Sequence, residues 1–454
     1  MRRIWRTVLL IGLLTLLTGL ATGCSSDIKM TFDPQELYSL PKLPAKYTEL
    51  NNQINKILEG GAEYAAPVSG TNIQPVQLWD LDGDGREEAL AFFRNAADEK
   101  PLKICIFTAT GDTYELTATI ESSGTAIYSI SYNDLDGDGQ TELVVGWRVG
   151  TELQALTVYA LRPDGPTELL RTDYVKYGIV DLDENQMEDL VVLRSLPDGE
   201  GCAEYYVWQD GGLVSRSMAR VSMTMAELSQ QGRLTQGTLR GGEPALFVTG
   251  VVESAQTVTD ILAMRNGELT NIVLSAATGV STEVAMFRSL YPMDINGDGL
   301  TEVPKPAYLP AWDNSEDLYQ RIDWNNYDIY GKAQTVMSTY HDMEDGWYFQ
   351  LPEEWFDQIL VSRSVSADEA AVTFYIRGGH GQSPVPFLRI TAITGTSRES
   401  KAVRGGRFVL VRKAETIYAA ELLEANDSWS YGMTEDEVRA AFSLIATEWA
   451  EGEN

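Results

Sequence analysis

The sequence predicts a mainly β protein built from a repeated unit of four strands, followed by a small α+β domain. Three observations carry that expectation. From about Val68 onward, apolar and polar residues alternate in short runs bounded by Gly, Asp and Asn turns. An acidic pattern of nine residues, D-x-[DN]-x-[DN]-x-x-x-[DE], occurs four times, starting at Asp80, Asp134, Asp181 and Asp294. After about His341 the pattern changes to a second group of strands that closes on a helical spacing.

In chain order, the N-terminus reads as an address. Arg2, Arg3 and Arg6 form a positive region, and Thr7 to Ala21 is an apolar run of 15 residues. That run suits a signal peptide and is short of the about 20 residues a spanning helix needs. It ends in Leu20-Ala21-Thr22-Gly23-Cys24, which resembles a lipobox, although Ala21 stands where that pattern prefers Leu. Residues 1–23 are therefore expected to be a lipoprotein leader, with Cys24 acylated and palmitate among its lipids. A plain signal peptide with an incidental cysteine is the alternative. Residues 24–66 comprise the cysteine, a tether held extended by Pro34, Pro41 and Pro44, and a helix over Tyr47–Leu58 ended by Gly60-Gly61.

Residues 67–340 hold the repeats. The first unit runs Ile73–Trp79, the acidic loop Asp80–Glu88, then Ala89–Phe93, Leu102–Thr108 and Tyr114–Ile120. Successive loops start 54, 47 and 113 residues apart, so the last step leaves room for a unit without a loop. Leu239-Arg240-Gly241-Gly242-Glu243 fits that place, keeping the glycines and closing Glu without the early aspartates. Four strands in each period of about 50 residues match the blade of a β-propeller, here with about five blades. Tandem β-sandwiches or an irregular solenoid are the rival arrangements, and Trp312–Met343 is long enough to hide a sixth blade.

Residues 341–454 are expected to form the α+β domain. It would open on Gly346–Pro352 and continue through strands Ala371–Ile376, Phe387–Ile393, Arg407–Arg412 and Ile417–Leu422. Thr434 and Glu437 form a capping box, and Val438, Phe442, Ile445 and Trp449 share one helical face. Its opening and closing are similar to small lipoprotein domains of the PsbP-like type.

The acidic loops point to calcium, which takes six to eight oxygens at about 2.3–2.6 Å. Positions 1, 3, 5 and 9 supply side chains and position 7 a carbonyl. The first loop offers Asp80, Asp82, Asp84, Glu88 and the Arg86 carbonyl; the second offers Asp134, Asp136, Asp138, Glu142 and Gln140. The fourth offers Asp294, Asn296, Asp298, Glu302 and Leu300. Gly85, Gly139 and Gly299 supply the turn at position 6. The third offers Asp181, Asp183, Asn185, Asp189 and Met187, but has Gln186 at that turn. Three calcium sites are expected, with a weaker fourth in this third loop. An EF-hand is rejected, because position 12 is Ala91, Val145, Val192 or Lys305 and the flanks alternate like strands.

This pattern resembles the FG-GAP or VCBS repeats of integrin-type propellers. The resemblance implies that each loop joins the first two strands of a blade and that the bound calcium is structural.

Composition excludes other classes. The chain has 66 acidic and 35 basic residues, a net charge of −31 that becomes −34 once Arg2, Arg3 and Arg6 leave with the leader. Nucleic acid is not expected as a partner at that charge. Cys105 reads as a buried strand residue and Cys202 as a loop residue; free thiols are expected, though an exterior location allows a disulfide. His341 and His380 read as surface residues without partners at motif spacing. Trp147, Trp208, Trp324, Trp347 and Trp355 read mainly as core, with Tyr205-Tyr206 and Trp324 to Tyr327 the candidates for an exposed patch. The expectation is a non-enzymatic binding or scaffold lipoprotein. It would be anchored on the outer face of the cytoplasmic membrane, with an unknown protein or carbohydrate partner. The alternative is a glycoside hydrolase-like enzyme with acids in the propeller channel.

Overall fold

The computed structural model describes residues 47–110, 113–150, 154–252, 256–285, 290–312, 318–378 and 382–445. The leader, Cys24, His380 and Trp449 lie outside the described residues. A helix covers Thr48–Glu59 and is followed by Gly60 and Gly61, the second at φ 93°. From Glu63 onward the chain is mainly strand. No helix among the described residues is long and apolar enough to cross a membrane.

Six antiparallel sheets follow one another along the chain. The first contains Val76–Trp79, Glu88–Arg94, Leu102–Thr110 and Thr113–Ser122, with the short strand Glu63–Tyr64 on the same edge as Val76–Trp79. The second runs Ala126–Asn133, Glu142–Arg148, Gln154–Arg162 and Gly165–Tyr174. The third runs Lys176–Val180, Asp189–Ser195, Gly201–Gln209 and Gly212–Arg220. The fourth runs Arg233–Thr238, Pro244–Val252, Gln256–Arg265 and Glu268–Asn271, with Val284–Ala285 also pairing with Gln256–Arg265. Each is an up-and-down meander, the simplest order for strands joined by short turns.

The sequence explains the packing. The second strand of each sheet is almost wholly apolar and buried, as in Glu142–Arg148 and Asp189–Ser195, because both of its faces meet a neighbouring sheet. Period two then divides the side chains. Leu143 and Val145 pack with Leu90, Phe92 and Ile104 of the first sheet, while Val144 between them packs with Leu190 and Val192 of the third. Val191 and Leu193 in turn face Leu246 and Val248 of the fourth. Outer strands alternate instead, as in Thr113–Ser122, where Tyr114 and Ile120 are buried and most residues between are exposed.

The fifth sheet runs Val303–Pro310, Leu318–Tyr327, Ala333–Asp342, Trp347–Gln350 and Phe442–Leu444. Three expectations change here. Trp312–Met343 contributes strands to this sheet rather than a separate unit. Gly346–Pro352 continues the same sheet, so the expected boundary at 340/341 falls inside a strand. The helix begun by the Thr434–Glu437 capping box covers only Glu435–Ala441, after which Phe442 starts a strand against Trp347–Gln350. The aromatic ring of Phe442 stacks on Trp347 at 5.6 Å, and that pairing outweighs continuation of the helical spacing.

The sixth sheet has the order Ile359–Val365, Glu369–Ile376, Val385–Ile393, Ile417–Leu422 and Phe408–Arg412. It shares one aromatic core with the fifth, including Tyr340, Trp347, Phe349, Trp355, Phe374 and Phe387. Short helices at Arg398–Ala402 and Glu424–Ser428 accompany it. A further helix, Met225–Gln231, joins the third and fourth sheets and carries its own capping box from Thr224 and Glu227.

Candidate metal centre

Each acidic loop is a turn between paired backbone segments. Asp80–Glu88, Asp134–Glu142 and Asp181–Asp189 join the first two strands of the first three sheets. The fourth loop, Asp294–Glu302, is closed by the isolated bridge between Met293 and Glu302 and leads into Val303–Pro310. One hydrogen-bond frame recurs in all four. The position-6 N–H donates to the first aspartate: Gly85 to Asp80 at 2.9 Å, Gly139 to Asp134 at 3.1 Å, Gln186 to Asp181 at 2.8 Å and Gly299 to Asp294 at 2.8 Å. The closing acid accepts from position 2: Leu81 N–H to Glu88 at 3.0 Å, Leu135 to Glu142 at 2.9 Å, Leu182 to Asp189 at 3.3 Å and Ile295 to Glu302 at 3.2 Å.

This frame turns the carboxylates toward one another. Asp80, Asp82 and Glu88 bring ligand oxygens within 4.8 Å of one another, as do Asp134, Asp136 and Glu142, and Asp181, Asp183 and Asp189. In the fourth loop the set is Asp294, Asp298 and Glu302. Asp84 and Asp138 stand outside those sets. Each instead accepts a backbone N–H at 2.8 Å, from Arg86 and Gln140 respectively. Asn185 plays the same part for Met187 at 2.7 Å, and Asp298 for Leu300 at 2.8 Å. Asn296 accepts from the Asp298 N–H at 3.0 Å and donates its amide to the Asp298 carboxylate at 2.9 Å.

The closing acid is buried in every loop. Burial, with the neighbouring aspartates adding repulsion, raises Glu88 and pushes Glu142 and Glu302 up to about 7 and Asp189 up to about 6. Asp80 Oδ1, Asp183 Oδ1 and Glu302 Oε1 are buried without a hydrogen-bond partner among the described residues. Hard carboxylate oxygens, converging, crowded and incompletely satisfied, are a donor set compatible with calcium. A cation there would offset the burial cost and the added repulsion that together raise the closing acid.

The loops also lean on one another. A Cβ on Gly83 would stand 2.7 Å from the Gly139 carbonyl, and Gly83 itself sits at φ 71°. Both conditions require glycine. The Thr141 N–H donates to the Leu81 carbonyl at 2.8 Å, tying the second loop to the first. Arg162 reaches Asp136 at 3.2 Å, and Arg216 reaches Asp183 at 3.7 Å.

The third loop differs in three ways. Gln186 adopts φ 70°, and Glu184, where the other loops have glycine, adopts φ 58°. Its closing acid is the shorter Asp189, and the Tyr205 hydroxyl donates to it at 2.6 Å. Tyr205 was a candidate for an exposed patch; it is fully buried, and Tyr206, Trp324 and Tyr327 are buried with it. Their strands are sandwiched between sheets, so the aromatic rings fill the core. His341 is likewise buried, 3 % exposed, stacked on Tyr348 and bonded to the Thr339 hydroxyl at 2.8 Å. Its surroundings hold its pKa down to about 3 through burial. Cys202 lies on the strand Gly201–Gln209, and both it and Cys105 are buried free thiols. The turn Leu239–Glu243 joins Arg233–Thr238 to Pro244–Val252 in five residues, with Gly242 at φ 96° and only one acid, so the acidic loop's frame is absent there.

Residues 70–145, which span the first two loops, match the FG-GAP-like repeat family. No curated protein matches the chain. Among solved structures, a protein from Lactobacillus plantarum shares 13 % identity, with 71 % of this chain and 86 % of that one covered at a TM-score of 0.25. AofleA from Arthrobotrys oligospora shares 11 %, with 72 % and 89 % covered at 0.24. A levansucrase from B. megaterium shares 11 %, with 73 % and 86 % covered at 0.23. Likenesses this distant bear on neither mechanism nor ligand. Residues 70–145 thus match an FG-GAP-like repeat within a mainly β chain of repeated antiparallel sheets.

Proposed function

We propose that this protein is a calcium-stabilised β-propeller of five blades, acting as a non-enzymatic binding or scaffold module of the bacterial envelope. The observation that carries the reading is the repetition of one hydrogen-bond frame in four loops, each converging three carboxylates with oxygens within 4.8 Å. Charges held that close repel, and a divalent cation turns the repulsion into a staple. The first five sheets are the blades, and Phe442–Leu444 completes the fifth by pairing with Trp347–Gln350. The sixth sheet and its helices form the α+β domain. Cys24 carries the lipid anchor, which holds the module at the outer face of the cytoplasmic membrane for a protein or carbohydrate partner.

Thermal unfolding of the soluble chain lacking residues 1–24, with excess calcium and then with chelator, tests the reading. Each site occupied at 100 times its Kd adds about 2.7 kcal/mol, so a rise in Tm of many degrees is expected from several sites. An unchanged Tm would refute calcium stapling.

A further inference from the structure

A cavity of about 460 Å³ opens where the first strands of the second, third and fourth sheets converge. Its lining is mixed in a particular way. Tyr128, Tyr174 and Tyr177 present aromatic rings, the last two edge to face at 5.7 Å. Ser131 and Gln236 add polar groups, the serine bonded to the Tyr177 hydroxyl at 3.3 Å and the amide to the Ile179 carbonyl. Asn133 Oδ1 is buried and has no partner among the described residues, so it stands ready for a donor.

The charges are the informative part. In a chain with 66 acids and 35 bases, the cavity wall carries the half-buried Lys176. Its ammonium forms no ion pair among the described residues. Arg233, stacked over Tyr291 at 3.6 Å, is close enough to repel it, and burial with that repulsion lowers the lysine's pKa. One carboxylate, Glu188, lines the cavity, and the Asn133 amide holds it at 2.9 Å. A cation kept out of water and beside another cation is costly unless an anion joins it.

We propose that this cavity binds a small polyhydroxylated anion, its acidic group on Lys176 and its hydroxyls on Asn133, Ser131 and the tyrosines. The volume falls in the range of small-molecule pockets, about 300–1,000 Å³. Tyrosine rings suit the apolar faces of a sugar, and hydroxyl and amide groups suit its edges. Carboxylate and phosphate share the required chemistry. The inference deepens the binding-module reading and rests on it. It also links the cavity to the metal loops: Asn133 immediately precedes Asp134, and Glu188 immediately precedes Asp189.

The test is calorimetric titration of the calcium-loaded, anchor-free chain with D-glucuronate, glucose 6-phosphate and glucose, alongside the calcium-dependent Tm of the same samples. At least one acidic sugar is expected to bind about tenfold or more tightly than glucose, and Lys176→Met to remove that preference. Preference for glucuronate identifies a carboxylate ligand, and preference for glucose 6-phosphate a phosphate. Equal binding of all three, binding of none, or an acidic preference that survives in a folded Lys176→Met chain overturns the proposal. The acidic-to-neutral ratio in the unaltered chain decides the matter if the variant does not fold. A calcium-dependent Tm without sugar binding removes this inference and leaves the calcium reading standing; no calcium effect removes that reading.

Discussion

Two kinds of acidic turn in this molecule solve the same electrostatic problem differently. In the acidic loops, Asp134, Asp136 and Glu142 converge, and Arg162 pairs with one of the three, Asp136, at 3.2 Å and with Asp138 outside the set at 3.6 Å. At the turn after Ala333–Asp342, Asp342, Glu344 and Asp345 also crowd together, and Asp342 Oδ1 accepts the N–H groups of Glu344 and Asp345 at 3.2 and 3.1 Å. There Arg363, from the sixth sheet, meets all three carboxylates at 3.3, 2.6 and 2.7 Å. The lesson is that an acidic turn alone does not define a metal site. What matters is whether the chain brings its own cation, and this one does so at Asp342 but leaves the loops with incomplete compensation.

The contrast is breakable by experiment. Arg363→Met leaves the buried Asp342 facing two acids without a counter-charge, and a loss of about 3–5 kcal/mol is expected, equal with calcium or chelator. Denaturant unfolding in both conditions measures it; rescue by calcium would show that the turn is a metal site after all. His341, one residue away, gives the contrast a pH signature. Its pKa is depressed in the fold, so the unfolded chain binds the extra proton first. The His341 contribution to stability is therefore fully present above about pH 6.5 and is lost as acid is added toward pH 3. His341→Gln should flatten that slope, as pH-resolved melting would reveal.

Asp136→Ala should lower calcium stoichiometry by one and cost about 2–3 kcal/mol in calcium but far less in chelator. Titration with an indicator dye reads the count, and an unchanged count would remove the second loop from the set. The smallest effect is expected at the third loop. Gln186→Gly relieves a left-handed residue worth about 1 kcal/mol and should tighten calcium there, bringing it toward the glycine loops. No change in affinity would place the third loop's difference at Asp189 and Tyr205 instead.

Much of this was legible because the determining signals are local. The apolar run Leu143-Val144-Val145 and the positive φ demanded at Gly85 or Gly139 are written in neighbouring residues. The helix Met225–Gln231 went unread in the sequence, although Thr224 and Glu227 form the same kind of capping box as Thr434 and Glu437. What was not legible is long-range. Nothing near Phe442 shows that it pairs with Phe349 and stacks on Trp347, and nothing near Tyr205 shows that Asp189 is within reach. Burial of His341 and Tyr327 depends on sheets stacked against both faces of their strands, which alternation alone does not reveal. Position 5 was read as a ligand throughout; its side chain also braces the turn by accepting the position-7 N–H in all four loops, which the spacing did not reveal.

The strand Phe442–Leu444 has a kinetic consequence. Its partner Trp347–Gln350 lies nearly a hundred residues earlier, with the whole sixth sheet threaded between them. A nascent chain must therefore finish that insert before the edge of Trp347–Gln350 is covered. Contacts of such long sequence separation form late and slowly. The closing step of assembly belongs to the last described strand, which makes the C-terminal segment the latch of the fold.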